Sequence, residues 1–373
     1  MKQELKRMKK TKDEIQAEAL AALGIKNRAG VAVSMGVGKT LIGLKHLNSL
    51  NIYYGSSIKA LVVAPKKSIW NSWKDEITKH NMSWLSDNID YTTYLSLCKK
   101  DLSVYDVIYL DECHNLLESH SPCLSKFSGG IIGLTGTPPK FVTSEKGKMV
   151  NTYCPMVYEY LVDDAVGDGI LNDYEIIVHL LPLGKMKNVM VGNKYKKWPT
   201  SEVESYVYWC DRIDNSSFIK ETMMLRIQRM KAMMEYPSKE VYAEKLFNSI
   251  SDKCILFANT QNQANRLCRH SYYSGNKDSE ENLLKFKAGI IPKLSAVLQL
   301  SEGVNIPDLK QGIIMHAYGN ERKSSQRIGR MLRLNPTEKA VIHVLCYRGT
   351  VDENWTKSAL AVFDQSKIKY INV

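Results

Sequence analysis

The sequence predicts an α/β protein of two tandem lobes, each a mostly parallel sheet covered by helices, joined by a small, partly helical insertion. Three observations predict it. The chain has 373 residues, the length of two domains of about 100–200 residues each. Short apolar runs alternate with longer amphipathic stretches, the pattern of strands buried on both faces between helices. The alternation lapses over 184–238 and then resumes, which divides the chain into 1–183, 184–238 and 239–373.

Residues 1–12 are strongly basic, with Lys2, Lys6, Arg7, Lys9, Lys10 and Lys12, and read as a solvated, frayed arm. Over 13–23, Ile15, Ala19, Leu20 and Leu23 share one helical face. Buried strands are expected at 31–34, 60–64, 107–110 and 131–134. Helices are expected at 41–50 and 68–80, and a further strand at 176–183 closes the first lobe. The insertion carries Lys194-Tyr195-Lys196-Lys197-Trp198. It also carries a helix after Ser216 and Ser217, stopped by Pro237. The stripe Ile219, Met223, Ile227, Met230 and Met234 along that helix reads as packed core. A helix at 241–250 and strands at 254–258, 296–300, 312–316 and 340–346 build the last lobe.

Lys and Arg outnumber Asp and Glu by 51 to 39, a formal net charge of +12. A basic surface attracts polyanions, nucleic acid first among them, although excess lysine also serves solubility alone. The eight cysteines, Cys98, Cys113, Cys123, Cys154, Cys210, Cys254, Cys268 and Cys346, contain no C-x-x-C pair. They read as scattered reduced thiols, not a disulfide framework or zinc site. The charged N-terminus lacks the apolar region of a secretory signal. No run approaches the roughly 18 apolar residues of a membrane span. A reducing, aqueous compartment is expected: the cytoplasm, that of a bacterial host if the chain is phage-encoded.

Residues 33–40 read Val-Ser-Met-Gly-Val-Gly-Lys-Thr between an expected strand and an expected helix, the setting a P-loop requires. Met35, Gly36, Val37 and Gly38 would turn tightly and present N–H groups to phosphate, aided by the helix dipole. Lys39 would reach the β- and γ-phosphates of ATP, and Thr40 would ligate Mg²⁺. Val33 stands where the general pattern begins with Gly. Residues 106–114 read Asp-Val-Ile-Tyr-Leu-Asp-Glu-Cys-His. Carboxylates at the carboxyl end of a buried parallel strand stand where such sheets bind ligands. Asp111 suits a Mg²⁺ partner. Glu112 suits the general base for an attacking water.

These residues resemble the motifs of superfamily-2 helicases, in a spelling similar to Swi/Snf-type and phage motors. Met35–Thr40 resembles motif I. Asp111-Glu112-Cys113-His114 resembles motif II, the DECH box. Leu134-Thr135-Gly136-Thr137-Pro138 resembles motif III. Leu61-Val62-Val63-Ala64-Pro65, followed by Trp70 and Trp73, resembles motif Ia. In the last lobe, 255–260 resembles motif IV and 300–307 motif V, with Asn305 where many relatives carry Asp. Gln326-Arg327-Ile328-Gly329-Arg330-Met331-Leu332-Arg333 resembles motif VI. The resemblance implies two RecA-like lobes that bind ATP and Mg²⁺. It implies arginine fingers at Arg330 and Arg333, and further nucleotide contacts at Gln16, Gly303, Asn305, Gln326 and Arg327. It implies coupling through His114, Thr135 and Thr137, and nucleic-acid contacts at Pro65, Lys66, Thr93 and Thr260. Lys196, Lys197 and Trp198 are candidate nucleic-acid contacts in the insertion. The alternative is an exposed loop anchored by Trp198.

The expected function is an ATP-dependent motor that moves along or unwinds nucleic acid, at branched or forked structures. DNA is favoured over RNA because the spelling of motifs Ia and V is closer to DNA motors. The alternatives are an RNA helicase, or a nucleic-acid-binding remodelling or recruitment protein without unwinding. A small-molecule kinase would leave motif VI and the second lobe unexplained. Replication or recombination proteins are candidate partners, and no membrane is expected.

Overall fold

The protein's structure, a computed structural model, describes residues 9–34, 36–139, 141–192, 196–297, 306, 309–317, 339–361 and 363–373. The chain divides into two compact units between Asn172 and Asp173.

The first unit is built on six parallel strands in the order β3-β2-β4-β5-β1-β6. These are β1 (Arg28–Val33), β2 (Ala60–Ala64), β3 (Ile89–Thr93), β4 (Val107–Asp111), β5 (Gly130–Thr135) and β6 (Met156–Tyr160). Side chains alternate across such a sheet. Val107 and Tyr109 face a core completed by Ile15, Ile42, Leu47 and Trp73. Ile108 and Leu110 face a second core with Leu97, Leu124 and Val150. Helix α1 (Lys12–Leu23) opens on a capping box in which the Thr11 hydroxyl accepts from the Glu14 amide, satisfying amides that lack helical partners. Helix α2 (Lys39–Tyr54) follows β1, and helix α3 (Ser68–Lys79) follows β2.

The second unit has seven parallel strands in the order β11-β12-β10-β13-β14-β7-β15. These are β7 (Tyr174–Leu181), β10 (Cys254–Ala258), β11 (Ser271–Tyr272), β12 (Lys293–Val297), β13 (Gln311–Ile314), β14 (Ala340–Tyr347) and β15 (Ile368–Asn372). A separate antiparallel hairpin joins β8 (Val189–Gly192) to β9 (Lys197–Thr200). Helices Glu202–Asp214, Ile219–Met234 and Pro237–Ser249 follow it.

Three sequence expectations are corrected. The strand expected to close the first lobe is β7, and it lies in the second sheet. It pairs in parallel register with β14 from Tyr174 opposite Ala340 to Leu181 opposite Tyr347, and with β15 on its other side. That pairing satisfies its backbone groups, and chain proximity to the first lobe does not decide it. Next, the Met-rich stripe is not core: Ile219, Met223 and Ile227 are exposed, and the helix buries Leu225 and Met233 instead. Finally, Cys98 and Cys123 are joined as a disulfide, 25 residues apart in sequence with Cα atoms 5.4 Å apart. Cys113, Cys154, Cys210, Cys254, Cys268 and Cys346 are free.

Lys239, which no periodicity marks, is buried in the second unit. Its ammonium donates to Asp352 Oδ2 at 2.5 Å and to the Leu345 carbonyl at 3.3 Å. His316 Nδ1 hydrogen-bonds Asp352 Oδ1 at 2.8 Å. Buried charges are tolerated when paired and hydrogen-bonded in this way.

Candidate nucleotide site

The carboxyl ends of the first unit's strands lie level with one another. Ala64 is in register with Thr93, Val63 with Leu110, Asp111 with Leu134, and Ala32 with Thr135. Hence the residues after β1, the acids after β4, Thr135 on β5, Pro65 after β2 and Thr93 all meet one edge. Ligands bind open parallel sheets at this edge.

Gly36 and Gly38 have φ of 93° and 98°, a region other residues rarely adopt. The turn they make delivers Lys39 and Thr40 to the first turn of α2. Gln16, 4% exposed, braces this loop. Its Nε2 donates to the Val37 carbonyl at 2.7 Å, and its Oε1 accepts from Lys45 Nζ at 2.7 Å. Gln16, expected to contact the nucleotide, is therefore engaged by the loop and by α2.

Lys39 Nζ donates to Glu112 Oε1 at 2.5 Å, with both side chains largely buried. Glu112 has φ of 53°, a conformation that costs on the order of 1–3 kcal/mol for a residue with a side chain. It turns the chain so that Asp111 and Glu112 point differently. The Thr135 hydroxyl donates to Glu112 Oε2 at 3.4 Å and accepts from the Thr137 amide at 3.1 Å. His114 Nδ1 and Thr135 Oγ1 are hydrogen-bonded at 2.9 Å. His114, Thr135 and Thr137 therefore form one network ending on Glu112.

Asp111 is buried, and two aromatic residues donate to it. Trp73 Nε1 reaches Oδ2 at 2.9 Å, and the Tyr94 hydroxyl reaches the backbone carbonyl at 3.0 Å. Burial pushes the Asp111 carboxyl up to about 6, while Lys39 pulls it back. A carboxylate so placed gains from a nearby cation. Among the described residues no cluster of three or more His, Cys, Asp or Glu could hold a metal. Thr40 and Asp111 instead fit Mg²⁺ carried in with nucleotide phosphates, which needs few protein ligands. Trp73 lies in the motif Ia resemblance, and Tyr94 lies in no motif. Their bonds to Asp111 are fixed only by the fold.

Lys66 is exposed just beyond β2, with Pro65 and Thr93 half-buried beside it. In the second unit, Thr260 caps helix Gln261–Leu267, accepting from the Gln263 amide. Lys196, Lys197 and Trp198 are exposed on the β8–β9 hairpin. Trp198 meets Tyr208 of helix Glu202–Asp214 edge-on at 5.7 Å. Met35, Gly303, Asn305, Gln326, Arg327, Arg330 and Arg333 lie outside the described residues.

Fold and site define a P-loop nucleotide-binding protein with two parallel-sheet lobes of RecA-like type. Residues 6–140 match the type III restriction enzyme res-subunit family, and residues 237–335 match the helicase conserved C-terminal domain. The chain belongs to the superfamily-2 helicases and translocases. It is 24% identical over 379 residues to the DNA 3'-5' translocase XPB2 of Sulfurisphaera tokodaii, covering 91% of this chain and 82% of that protein. Two solved structures share the fold at 15% identity. One is the ATP-dependent Type ISP restriction-modification enzyme LlaBIII bound to DNA, with a TM-score of 0.63 over 98% of this chain; the chain spans 31% of that enzyme's length. The other is an S. cerevisiae Dbp5 variant bound to RNA and ADP BeF3, with a TM-score of 0.56 over 96% of this chain and 89% of that one. Among the described residues no helix is long and apolar enough to cross a membrane.

Proposed function

We propose that the chain is an ATP-dependent DNA translocase or helicase whose turnover is stimulated by DNA and which acts at branched or forked DNA. The observation that carries the reading is the common edge holding Lys39, Thr40, Asp111 and Glu112 alongside Pro65, Lys66 and Thr93. Nucleotide chemistry and a strand's phosphates would then meet the same row of strand ends.

Lys39 is paired with Glu112. Incoming γ-phosphate offers Lys39 a stronger anion, and release of the pair frees Glu112 to accept a proton from the attacking water. Thr40 and Asp111 would hold the Mg²⁺, which supplies charge neutralisation at the phosphates. Arg330 and Arg333, with Gln326 and Arg327 in support, would neutralise γ-phosphate charge, a role worth about 10³–10⁵ in rate. Gly303 and Asn305 would complete the nucleotide contacts. Thr260 and the exposed Lys196, Lys197 and Trp198 would add phosphate and base contacts. The network from Thr137 through Thr135 and His114 to Glu112 would couple nucleotide state to strand binding.

DNA is chosen because the XPB2 relative is named as a DNA translocase; the formal net charge of +12 suits either nucleic acid. The test is a panel of single-stranded, duplex, forked and four-way DNA and RNA at one salt concentration, scored for ATP turnover and strand separation. DNA, and forked DNA most, should raise turnover. Stimulation by RNA alone would make the protein an RNA helicase, and binding without any stimulation would make it a recruitment module.

A further inference from the structure

Two aromatic donors hold Asp111, and each sits on a segment that begins beside an expected strand contact. Helix α3 starts directly after Pro65, Lys66 and Lys67, and its Trp73 donates to Asp111 Oδ2. The turn Tyr94–Lys99 starts directly after Thr93, and its Tyr94 donates to the Asp111 carbonyl. Both side chains are buried, Trp73 at 0% and Tyr94 at 6% exposure.

Trp73 is also wedged tightly. A Cβ on Gly43 of α2 would lie 2.6 Å from Trp73 Cη2, so only glycine there admits the indole. The ring meets Tyr109 of β4 at 5.9 Å between centroids. One rigid indole thus touches the P-loop helix, the strand carrying the acids, and the carboxylate itself. An indole has a single donor, and a hydrogen bond to an ionised carboxylate is stronger than one between neutral groups. Any displacement of α3 therefore moves the donor that sets the rotation of the Asp111 carboxylate. At the solvent end of α3, Lys67 Nζ lies over the Trp70 ring at 5.8 Å, and Trp70 meets Tyr91 of β3 at 6.0 Å. Helix α3 thus also contacts β3, the strand that leads into the Tyr94–Lys99 turn.

We infer that Trp73 and Tyr94 are positioning residues that carry nucleic-acid occupancy at the Lys66–Lys67 and Thr93 segments to the Asp111 carboxylate. The inference rests on the proposed DNA-stimulated turnover. Both side chains are buried, so each acts through Asp111.

The experiment uses the full chain with W73F and Y94F, which keep a ring and remove the donor. Four quantities are read: melting temperature, binding to a labelled DNA duplex, the ratio of DNA-stimulated to basal ATP turnover, and the Mg²⁺ concentration giving half-maximal turnover. In W73F the stimulation ratio should fall about tenfold and the Mg²⁺ requirement should rise by a similar factor, the loss expected for one hydrogen bond to a charged group. Y94F should show the same pattern at about threefold, since its acceptor is a neutral carbonyl. DNA binding should be retained in both. A lower melting temperature with unchanged ratio and unchanged Mg²⁺ requirement, in either variant, would reduce that residue to packing and overturn the inference. Should W73F fail to fold, Y94F alone decides. If DNA does not stimulate the unsubstituted protein, the proposed function falls and takes the inference with it. If that protein is stimulated and both variants match it, only the inference falls.

Discussion

Replacing Glu112 by Gln separates two effects that the site combines. Lys39 Nζ lies 2.5 Å from Glu112 Oε1, with side chains 12% and 18% exposed. A hydrogen bond to a charged group in such a setting contributes about 1.5–3 kcal/mol, and in the proposed mechanism Mg²⁺·ATP breaks it to recruit Lys39. Glu112→Gln leaves a neutral acceptor of the same shape and keeps the neighbouring Thr135 within reach. Nucleotide affinity should therefore rise by about 1–2 kcal/mol, roughly 5–30-fold. Turnover should fall about 10²–10⁴-fold, because the amide cannot take the proton from water. Titration with a fluorescent nucleotide, followed by single-turnover hydrolysis on the same sample, measures both. Weaker nucleotide binding at an unchanged melting temperature would refute the reasoning, since Glu112 would then be a ligand for the nucleotide or metal and not a competitor for Lys39.

Lys239→Met should destabilise the protein by about 3–5 kcal/mol, because it strips the partner from a buried carboxylate, and thermal melting would detect it. Stability should also fall on acidification. Burial opposes the ionised form of Asp352, but His316 and then Lys239 outweigh it and hold the group below the usual range. Its contribution is present above about pH 4 and lost below that; a melting temperature flat from pH 7 to 3 would contradict the sign. Joint Ala substitution of Lys196, Lys197 and Trp198 should weaken forked-DNA binding, with about 1–3 kcal/mol from the lost aromatic if it stacks on a base. Unchanged fork binding with a lower melting temperature would assign Trp198 to its contact with Tyr208. DNA affinity should fall steeply with salt and vary little with sequence, as phosphate contacts require; a flat salt response in a binding titration would count against the proposed contacts.

Local patterns in the sequence carried most of the first unit. Val31 and Ala32 lead straight into the glycines and Lys39, and Val107–Leu110 leads straight into the two acids, so motif and strand mark each other. Ala60–Ala64 and Cys254–Ala258 coincide with strands residue for residue, because continuous apolar runs of that length suit a strand buried on both faces. What escaped the sequence depends on distant pairing. Nothing in residues 174–181 says that their partners are 340–347 and 368–372. The helix Ile219–Met234 has apolar residues on more than one face, so periodicity alone could not choose Leu225 and Met233 over Ile219, Met223 and Ile227. Lys239 reads as a surface lysine until Asp352, more than a hundred residues on, is brought against it. Cys98 and Cys123 lack the close spacing that marks paired cysteines. The Trp73 donor, similarly, has no meaning before β4 delivers Asp111.

On the proposed function, the P-loop edge of the first unit hydrolyses ATP in response to DNA. Steady-state ATP turnover of the unsubstituted chain and of Lys39→Ala, each with and without duplex and forked DNA, tests it most directly. Turnover that DNA raises in the unsubstituted chain and that vanishes in a folded Lys39→Ala protein is the predicted result. Equal turnover by the two proteins, or turnover in the unsubstituted chain that no DNA changes, would contradict it.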